Sequence, residues 1–493
     1  MIFSSSIFIL VYLPIVFAVY FVLNKTRLVS AGKIWLVLAS LFFYGYWSVA
    51  YLPLLLGSIV FNYASGWLVS PYTTALQSAH RKKWALAGAI AINLSLLAYF
   101  KYTNFLIDNF NALAGGHVGF EQIILPLGIS FYTFTQIAFL VDSYRGEAKE
   151  YDFINYALFV TFFPHLIAGP ILHHKEMMSQ FESRWTLFVR HKNILMGIFI
   201  FSVGLFKKVI LADTFSVWAD AGYAPGVQHD FYSAWATSLS YTFQLYFDFS
   251  GYCDMAIGAA LLFNIWLPIN FNSPYKSLDI QDFWRRWHMT LSRYLRDYLY
   301  IPLGGNRCSS PRIYMNLMLT FILGGLWHGA SWMFVIWGAL HGGALVIHRI
   351  WKQLGMNMPN PLAWLITFLF INITWVFFRA TSMQDANNII IKMFDFGSIT
   401  GTPVSAVPTA SLAWGGVLSD HLLSVLPQGI AVNAICFAMI LIGFIITPMK
   451  NSFTLTVEGT FGWKKTIWMT LVFAIAMYST LKTTSTVFLY FNF

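Results

Sequence analysis

Charged residues are scarce in this chain. Only 10% of its 493 residues are Asp, Glu, Lys or Arg, whereas 58% are hydrophobic and 18% are aromatic. A soluble globular protein carries about 25% charged residues. The apolar surplus is too large for one protein core and requires lipid as its solvent. The composition therefore excludes an ordinary soluble enzyme and indicates a polytopic membrane protein.

Cysteine is also rare, and several signature motifs are missing. The three cysteines, Cys253, Cys308 and Cys436, lie far apart and form no C-x-x-C motif, so neither a disulfide framework nor a zinc site is expected. The sequence also contains no G-x-x-x-x-G-K-[ST], G-x-S-x-G or H-E-x-x-H motif. These absences disfavour ATP-driven transport, serine hydrolase and zinc protease chemistry. We expect no metal cofactor.

The charge that is present is mostly basic, with 30 Lys and Arg against 20 Asp and Glu, a formal net charge of +10. In a membrane protein such an excess sets the topology and meets anionic lipid headgroups. We therefore expect membrane lipid, and no nucleic acid, as a partner. Basic residues at 25–33 and 81–83 place these loops in the cytoplasm and the N-terminus outside. Arg145 and Lys149 then return to the inside, and the side of Lys207 and Lys208 is left open.

Apolar segments of spanning length recur along the whole chain. A span needs roughly 20 residues, and this length predicts about ten to thirteen transmembrane or re-entrant helices, beginning with a retained first helix. Residues 315–350 are predicted as one long broken helix or two short ones, because glycines interrupt them. The spans are predicted near 7–23, 34–50, 52–69, 84–100, 122–141, 152–171, 194–212, 232–248, 252–268, 315–337, 334–350, 361–378, 428–447 and 466–482.

No polar stretch approaches the roughly 50 residues of an independent soluble domain. Residues 401–427 are the least hydrophobic linking region, rich in proline and glycine, and are predicted as a loop outside the bilayer. We therefore predict a single integral-membrane domain over residues 1–493, with an all-α polytopic fold.

The segment 279–300 is too charged to face lipid. It carries arginines, a histidine and aromatic residues at helical spacing, in the sequence DIQDFWRRWHMTLSRYLRDYLY. One interpretation is an interfacial amphipathic helix with snorkelling arginines and tryptophan anchors. The other is a basic site whose arginines bind an anionic cofactor, such as the phosphates of an acyl-CoA. The two interpretations are compatible.

His328 lies within an uncharged apolar run flanked by glycines and Trp327. A histidine at bilayer depth is costly unless it lines a cavity or has a partner, which makes it a functional candidate. A neutral imidazole can accept a proton from a hydroxyl nucleophile near pH 7. The alternative is a structural histidine packed between helices, which is the role favoured for His341 and His348.

Other polar residues interrupt apolar surroundings elsewhere. Asp248 and Asp254 are predicted to be helix caps or partners of the arginines in 285–296, in preference to catalytic groups. His165 lies between prolines and a glycine, at a helix break of the kind that lines cavities. The adjacent His173 and His174 are a weak metal signal.

Three stretches together carry a family resemblance. FDFSGYCDMAIG (247–258), NFNSPYKSLDIQDFWRRWHMTLSRYLRDYLYIPLGGNR (270–307) and GGLWHGASWMFVIWGALHG (324–342) closely resemble the membrane-bound O-acyltransferase family. Within it, the match is to the bacterial branch typified by the inner-membrane subunit of alginate O-acetyltransferase. The opening MIFSSSIFILVYLP, the central 125–146 and 162–172, and the ending FLYFNF extend the resemblance over nearly the whole chain. Cys253 stands where this branch often has a small hydroxyl residue.

The resemblance implies that family's fold, with helices around a central cavity, and an enzyme of the bacterial inner membrane. Such an enzyme passes acetyl from cytoplasmic acetyl-CoA across the membrane to acetylate an exopolysaccharide, of alginate or cellulose type. The family's catalytic histidine in the WHG motif falls on His328, the predicted general base. Its second histidine, in WRRWH, falls on His288, which is predicted to orient the donor, stabilise the oxyanion or share the proton transfer.

Further expectations concern the donor, the carrier and the partner. Arg285, Arg286 and Arg293 are the hypothesised contacts to the donor phosphates. No serine or cysteine stands out as the carrier of an acyl-enzyme. Without a soluble extracytoplasmic domain, the chain is expected to pass acetyl to a periplasmic acetyltransferase subunit, which holds the polysaccharide acceptor. The 401–427 loop and the C-terminal FLYFNF are candidate surfaces for that partner.

Two kinds of alternative remain at this stage. The motifs define the chemistry better than the acceptor, so O-acetylation of peptidoglycan and D-alanylation of teichoic acid are alternatives. A more remote one is a proton-coupled transporter in which His328, His288 and Asp248 form a pathway. That alternative leaves the arginine-rich WRRWH segment unexplained.

Overall fold

The structure is a computed structural model that describes residues 1–116, 119, 121–148, 152–400, 428–457, 462–482 and 488–489. Within these ranges the chain forms helices joined by turns and loops, with no strand. The predicted all-α class is confirmed. The predicted 401–427 loop and Lys149 lie outside the described residues.

The described residues of the N-terminal half form a series of helices. They are α1 (Phe8–Lys25), α2 (Val29–Gly45), α3 (Leu52–Val69), α4 (Ala79–Ala114), α5 (Ile129–Arg145), α6 (Phe153–Thr161), α7 (Phe163–Leu166), α8 (His174–Phe181), α9 (His191–Gly222) and α10 (Phe231–Leu262).

The C-terminal half continues with shorter helices around the charged segment and then longer apolar ones. They are α11 (Ile280–Arg286), α12 (Met289–Leu295), α13 (Ser310–His328), α14 (Trp332–Gln353), α15 (Asn360–Arg379), α16 (Met383–Met393), α17 (Gln428–Ile446), α18 (Ser452–Val457) and α19 (Trp463–Lys482). A π-helical turn, Arg296–Tyr300, follows α12.

Six helices in the described part of the chain are long and apolar enough to cross a membrane, namely α1, α4, α9, α14, α15 and Val49–Val69, which includes α3. Two shorter apolar helices are Val29–Gly45 and Ile435–Ile446. The longest, α4, has 36 residues and spans roughly 54 Å at the helical rise per residue. It therefore exceeds the bilayer's hydrocarbon core, which is about 30 Å thick.

Several predicted spans have different bounds in the structure. Residues 232–248 and 252–268 are not two helices: α10 runs unbroken through Gly251, because that glycine packs against a neighbouring helix and keeps its helical conformation. The predicted span 152–171 is divided into α6 and α7 at Pro164, which occupies the first turn of α7. Residues 315–350 form two helices, one of the two predicted arrangements.

The contacts divide the chain into two compact units. The first comprises Met1–Phe201 and Ala256–Pro268, and the second comprises Ser202–Met255 and Ile269–Phe493. The core of the first unit contains a cluster of aromatic rings, in which Phe8 lies 5.8 Å from Phe43 and 6.1 Å from Phe163 between ring centroids. The second unit holds the candidate site.

Buried amides tie α3 to α4 in the first unit. Asn62 Nδ2 donates to Asn93 Oδ1 at 3.0 Å, and Asn93 Nδ2 donates to Asn62 Oδ1 at 2.7 Å. Both residues are buried. Because lipid offers no hydrogen-bond partner, such a reciprocal pair favours one alignment of the two helices over others.

Glycines allow α9 and α10 to approach closely. In the second unit, a Cβ atom on Gly204 would lie 2.6 Å from the carbonyl oxygen of Gly251 and 2.7 Å from the backbone nitrogen of Met255. In the first unit, a Cβ on Gly258 would lie 2.6 Å from the carbonyl oxygen of Gly197. Within membranes, small residues of this kind bring helix backbones into van der Waals contact.

We expect Gly204→Ala to lower the melting temperature of the detergent-purified protein, because the added methyl group collides with backbone rather than with a mobile side chain. Overpacking of this kind costs about 1–3 kcal/mol. Gly88→Ala is the matched control, since a Cβ at Gly88 in α4 meets nothing within 4 Å. Equal melting temperatures for the two variants would show that the contact at Gly204 does not limit stability.

Candidate active site

The charged segment is a broken helix in the structure. Asp279 caps the start of α11, where its Oδ1 accepts from the backbone N–H of Asp282 at 2.7 Å. The helix ends at Arg286, and α12 begins at Met289. Between them His288 adopts a left-handed backbone conformation with φ 44° and ψ 52°, which costs a non-glycine residue about 1–3 kcal/mol unless the surroundings hold it.

The segment 270–272 provides those surroundings. The backbone N–H of Asn272 donates to the carbonyl of Arg286 at 2.9 Å, and the backbone N–H of Met289 donates to the carbonyl of Asn270 at 3.0 Å. These bonds satisfy backbone groups on both sides of the break. The break is therefore held by backbone hydrogen bonds to the segment 270–272.

His288 is fully buried, and its ring packs against Phe249 with centroids 4.8 Å apart. Its Nδ1 lies 3.2 Å from Oδ1 of Asn270, while its Nε2 has no hydrogen-bond partner among the described residues. Burial lowers the pKa of His288 to about 3. Because this pKa lies well below 7, the ring is neutral at neutral pH in the folded protein.

His328 is the last residue of α13, and only 4% of it is exposed. Gly329 follows it with an extended backbone, and a Cβ atom there would collide with the ring of Phe334. Ser331 then caps α14 by accepting from the backbone N–H of Met333 at 3.2 Å. Of the glycines expected to interrupt the helices, Gly329 lies at the helix end, whereas Gly324, Gly325 and Gly338 lie inside α13 and α14.

The structure brings the two predicted histidines together. Their ring centroids are 6.4 Å apart, with the planes inclined by 58°. Aromatic rings surround His328, with centroids at 5.0 Å for Trp327, 5.2 Å for Trp337 and 5.2 Å for Phe378. This arrangement places two imidazoles side by side in an apolar shell.

The other histidines considered from the sequence do not belong to the His288–His328 pair. His341 is fully buried on α14, and its Nδ1 accepts from the indole N–H of Trp284 at 3.2 Å. His348 Nε2 lies 3.7 Å from a carboxylate oxygen of Asp279. His165 belongs to the first unit and is buried in α7. His174 packs on Phe139, with ring centroids 5.3 Å apart.

The three arginines hypothesised to bind the donor differ in their surroundings. Arg285 is exposed at the end of α11. Arg286 is half-buried, and its Nε donates to both carboxylate oxygens of Asp282 at 2.9 Å. Arg293 lies on α12 and is also half-buried. Arg285 forms no ion pair with a described residue.

The prediction for the two aspartates needs correction. Asp248 and Asp254 lie within α10 and do not pair with arginines or cap a helix. Asp248 Oδ1 pairs with Lys208 Nζ at 2.7 Å, and Asp254 Oδ2 pairs with Lys207 Nζ at 2.7 Å. The sequence left both lysines as topology signals, whereas the structure places them inside α9, where their partners are the carboxylates of the adjacent helix.

Two further groups complete this buried ion cluster. Lys208 Nζ also contacts Asp213 Oδ1 at 2.9 Å, and the backbone N–H of Leu489 donates to Asp248 Oδ2 at 2.7 Å. Phe488 stacks on Tyr252 with ring centroids 4.4 Å apart. These two described residues of the C-terminal motif are thus buried against α10 and offer no surface to a partner protein.

Sequence reasoning missed Asn270 and the lysine pair. Two adjacent lysines in an otherwise apolar helix, with aspartates in the next apolar helix, are the signal that points to a buried ion cluster. For Asn270 no local pattern exists, because its contact to His288 joins positions 18 residues apart across a loop.

These features define a multi-pass helical membrane protein that buries two adjacent histidines in an aromatic shell. Residues 34–384 match the sequence model of MBOAT, the membrane-bound O-acyltransferase family. The chain belongs to this family and is an acyltransferase. The predicted family resemblance is confirmed, and the transporter alternative loses its support.

Three relatives illustrate the range of acceptors within the family. A peptidoglycan O-acetyltransferase of Helicobacter pylori is 46% identical over 100% of this chain and 98% of its own length. The probable alginate O-acetylase AlgI of Pseudomonas aeruginosa is 43% identical over 81% of this chain and 76% of its own. The teichoic acid D-alanyltransferase of Bacillus subtilis is 28% identical over 51% of this chain and 68% of its own.

We expect Asp248→Asn to destabilise the protein strongly, since it leaves the buried Lys208 with less compensation. Breaking a buried ion pair costs about 3–5 kcal/mol. Asp220→Asn is the control: Asp220 is half exposed and pairs with Arg379 at 3.0 Å, and such surface pairs contribute about 0–1 kcal/mol. Thermal unfolding in detergent measures both, and an unchanged Asp248→Asn midpoint would contradict a stabilising role for the cluster.

Proposed function

We propose that this chain is an O-acetyltransferase of the bacterial inner membrane that transfers acetyl from cytoplasmic acetyl-CoA toward peptidoglycan on the opposite side. The observation that carries the proposal is the 46% identity, over the whole chain, to the Helicobacter pylori peptidoglycan O-acetyltransferase. From the sequence alone, an exopolysaccharide is the first predicted acceptor and peptidoglycan is among the alternatives. The relatives support that alternative better.

Exopolysaccharide acetylation remains the second candidate. Relatives named as probable alginate O-acetylases are 37–43% identical to this chain over most of its length. If the same two histidines act in these relatives and in this chain, the chemistry does not distinguish the two acceptors. The polymer that carries the acetyl ester does. D-alanylation has less support, because its relatives are 28% identical over about half the chain.

The adjacent histidines are the groups we assign to the chemistry. His328, as general base, removes the proton from an attacking hydroxyl group. The hydroxyl oxygen forms a bond to the acetyl carbon, the C–S bond of the thioester breaks, and coenzyme A leaves as the thiol after receiving a proton. The aromatic shell around His328 excludes water, which protects the thioester from hydrolysis.

The donor and the partner follow from the same scheme. Arg285, Arg286 and Arg293 contact the phosphates of acetyl-CoA, because guanidinium groups form bidentate bonds with phosphate oxygens. The acetyl group then passes to a periplasmic acetyltransferase subunit that holds the polymer. The described residues contain no separate soluble domain that would do so.

We expect His328→Ala and His288→Ala to reduce acetyl transfer by about 10²- to 10⁴-fold, the range for loss of a general acid or base. The variants replace the native copy in cells, and base-labile acetyl is measured separately in purified peptidoglycan and in exopolysaccharide. Membrane levels are checked by blotting.

The matched control is His80→Ala, because His80 is exposed on α4 and pairs with Trp84. Full acetylation in His328→Ala cells would overturn the assignment of the general base. Ester lost from exopolysaccharide while peptidoglycan acetylation is unchanged would replace the proposed acceptor with the second candidate.

For the donor contacts, we expect Arg285→Ala to raise the KM for acetyl-CoA by about tenfold or more, because a charge-assisted hydrogen bond contributes about 1.5–3 kcal/mol. The value of kcat should change little, since the phosphates are remote from the reacting carbon. Arg296→Ala is the control, because Arg296 already pairs with Asp297 at 2.7 Å. An unchanged KM in Arg285→Ala would exclude that arginine from the donor site.

A further inference from the structure

His288 could orient the donor, stabilise the oxyanion or share the proton transfer, and its role depends on which ring nitrogen carries the proton. The contacts of Asn270, a residue that is 1% exposed, decide this. Its Oδ1 lies 3.2 Å from the backbone nitrogen of Thr290, 3.0 Å from the hydroxyl of Thr290 and 3.2 Å from Nδ1 of His288. Its Nδ2 points to the sulfur of Cys253 at 3.4 Å.

The orientation of this amide follows from the backbone group. A backbone N–H can only donate, so the atom of Asn270 that faces Thr290 must be the carbonyl oxygen. The reversed amide would bring two donors together and leave a buried backbone N–H unsatisfied, which costs about 1–3 kcal/mol. The oxygen is therefore held toward His288 as well.

An amide oxygen only accepts hydrogen bonds, so Nδ1 of His288 must be the donor. A neutral imidazole has one N–H group, and the proton on Nδ1 leaves a lone pair on Nε2. That Nε2 atom is buried and has no partner among the described residues. The ring is neutral, because burial holds the pKa of His288 near 3.

We propose that Asn270 is a positioning residue that fixes the tautomer of His288 and thereby makes Nε2 of His288 a proton acceptor in acyl transfer. This inference rests on the proposed function and deepens it. A neutral ring in this tautomer has no hydrogen on Nε2 to donate to an oxyanion, so the stabilising role is excluded. His288 instead shares the proton transfer with His328, 6.4 Å away between ring centroids.

Acetyl transfer from the thioester still balances in protons when His288 acts as a second proton acceptor. As the hydroxyl oxygen bonds to the acetyl carbon, its proton passes to the histidine pair. The C–S bond breaks, and the same proton leaves on the thiol of coenzyme A, which restores both neutral rings. Asn270 touches neither reactant and acts only through His288.

The first test reads the tautomer directly. Nitrogen NMR of the full chain in lipid bilayers, with ¹⁵N-labelled histidine, assigns His288 by difference from His288→Gln. We expect a protonated, pyrrole-type Nδ1 and an unprotonated, pyridine-type Nε2 at pH 7. The opposite tautomer, or a doubly protonated ring, overturns the inference, whatever reaction the protein catalyses.

The second test separates positioning from a purely structural role. Asn270→Leu removes the acceptor, so acetyl transfer per folded protein should fall by about tenfold or more. Asn270→Asp restores the acceptor and adds a negative charge that raises the pKa of His288. Transfer by Asn270→Asp should therefore recover at pH 8 and fall steeply toward pH 6, where His288 becomes protonated, unlike transfer by the wild type.

Asn360→Asp is the matched control, because it makes the same substitution at an exposed residue at the start of α15. Its pH profile should match the wild type. A wild-type profile in Asn270→Asp, or a loss in Asn270→Leu that only tracks the amount of folded protein, overturns the positioning role. A wild type that transfers no acetyl refutes the proposed function, and the NMR result then decides the tautomer alone.

Discussion

Lipid offers no hydrogen-bond partner and no counter-ion, so a chain that enters it has to satisfy its polar groups internally. The ion cluster between α9 and α10 meets this demand for charge, with Lys208 contacting both Asp213 and Asp248. The segment 270–272 meets this demand for backbone groups, by hydrogen bonding to the end of α11 and the start of α12. Both solutions lie in the second unit, and the histidine site is built on the second of them.

The helix break has a cost and a use. A left-handed histidine is unfavourable by itself, but Asn270 bonds both its ring and the residue that follows it. The strain is therefore held by several contacts at once, which is typical of functional sites. His328 is positioned differently, at the end of α13, where a Cβ atom on the following Gly329 would collide with the ring of Phe334. The helix break at His288 and the helix end at His328 thus place the two imidazole rings side by side.

The apolar shell sets the chemistry of that pair. Burial keeps His288 uncharged, and the rings of Trp337 and Phe378 leave little room for water around His328. A neutral imidazole keeps a nitrogen lone pair that can accept a proton, whereas a protonated imidazole has none. In the proposed reaction, the same apolar shell would keep water away from a thioester donor.

Composition and local pattern by themselves determined the membrane class and the helical fold, because hydropathy and length are local properties of the chain. They also marked His328 as a candidate, whereas a role for His288 came from the family resemblance of its motif. They also favoured a turn near the glycines around His328. The pairing of Asp248 with Lys208, the unbroken course of α10 and the hold of Asn270 on His288 were decided only by the tertiary structure. Each depends on which helix faces, far apart in sequence, come into contact. The partner of a buried charge or of a ring nitrogen is therefore set by that contact and not by the residues beside it in the chain.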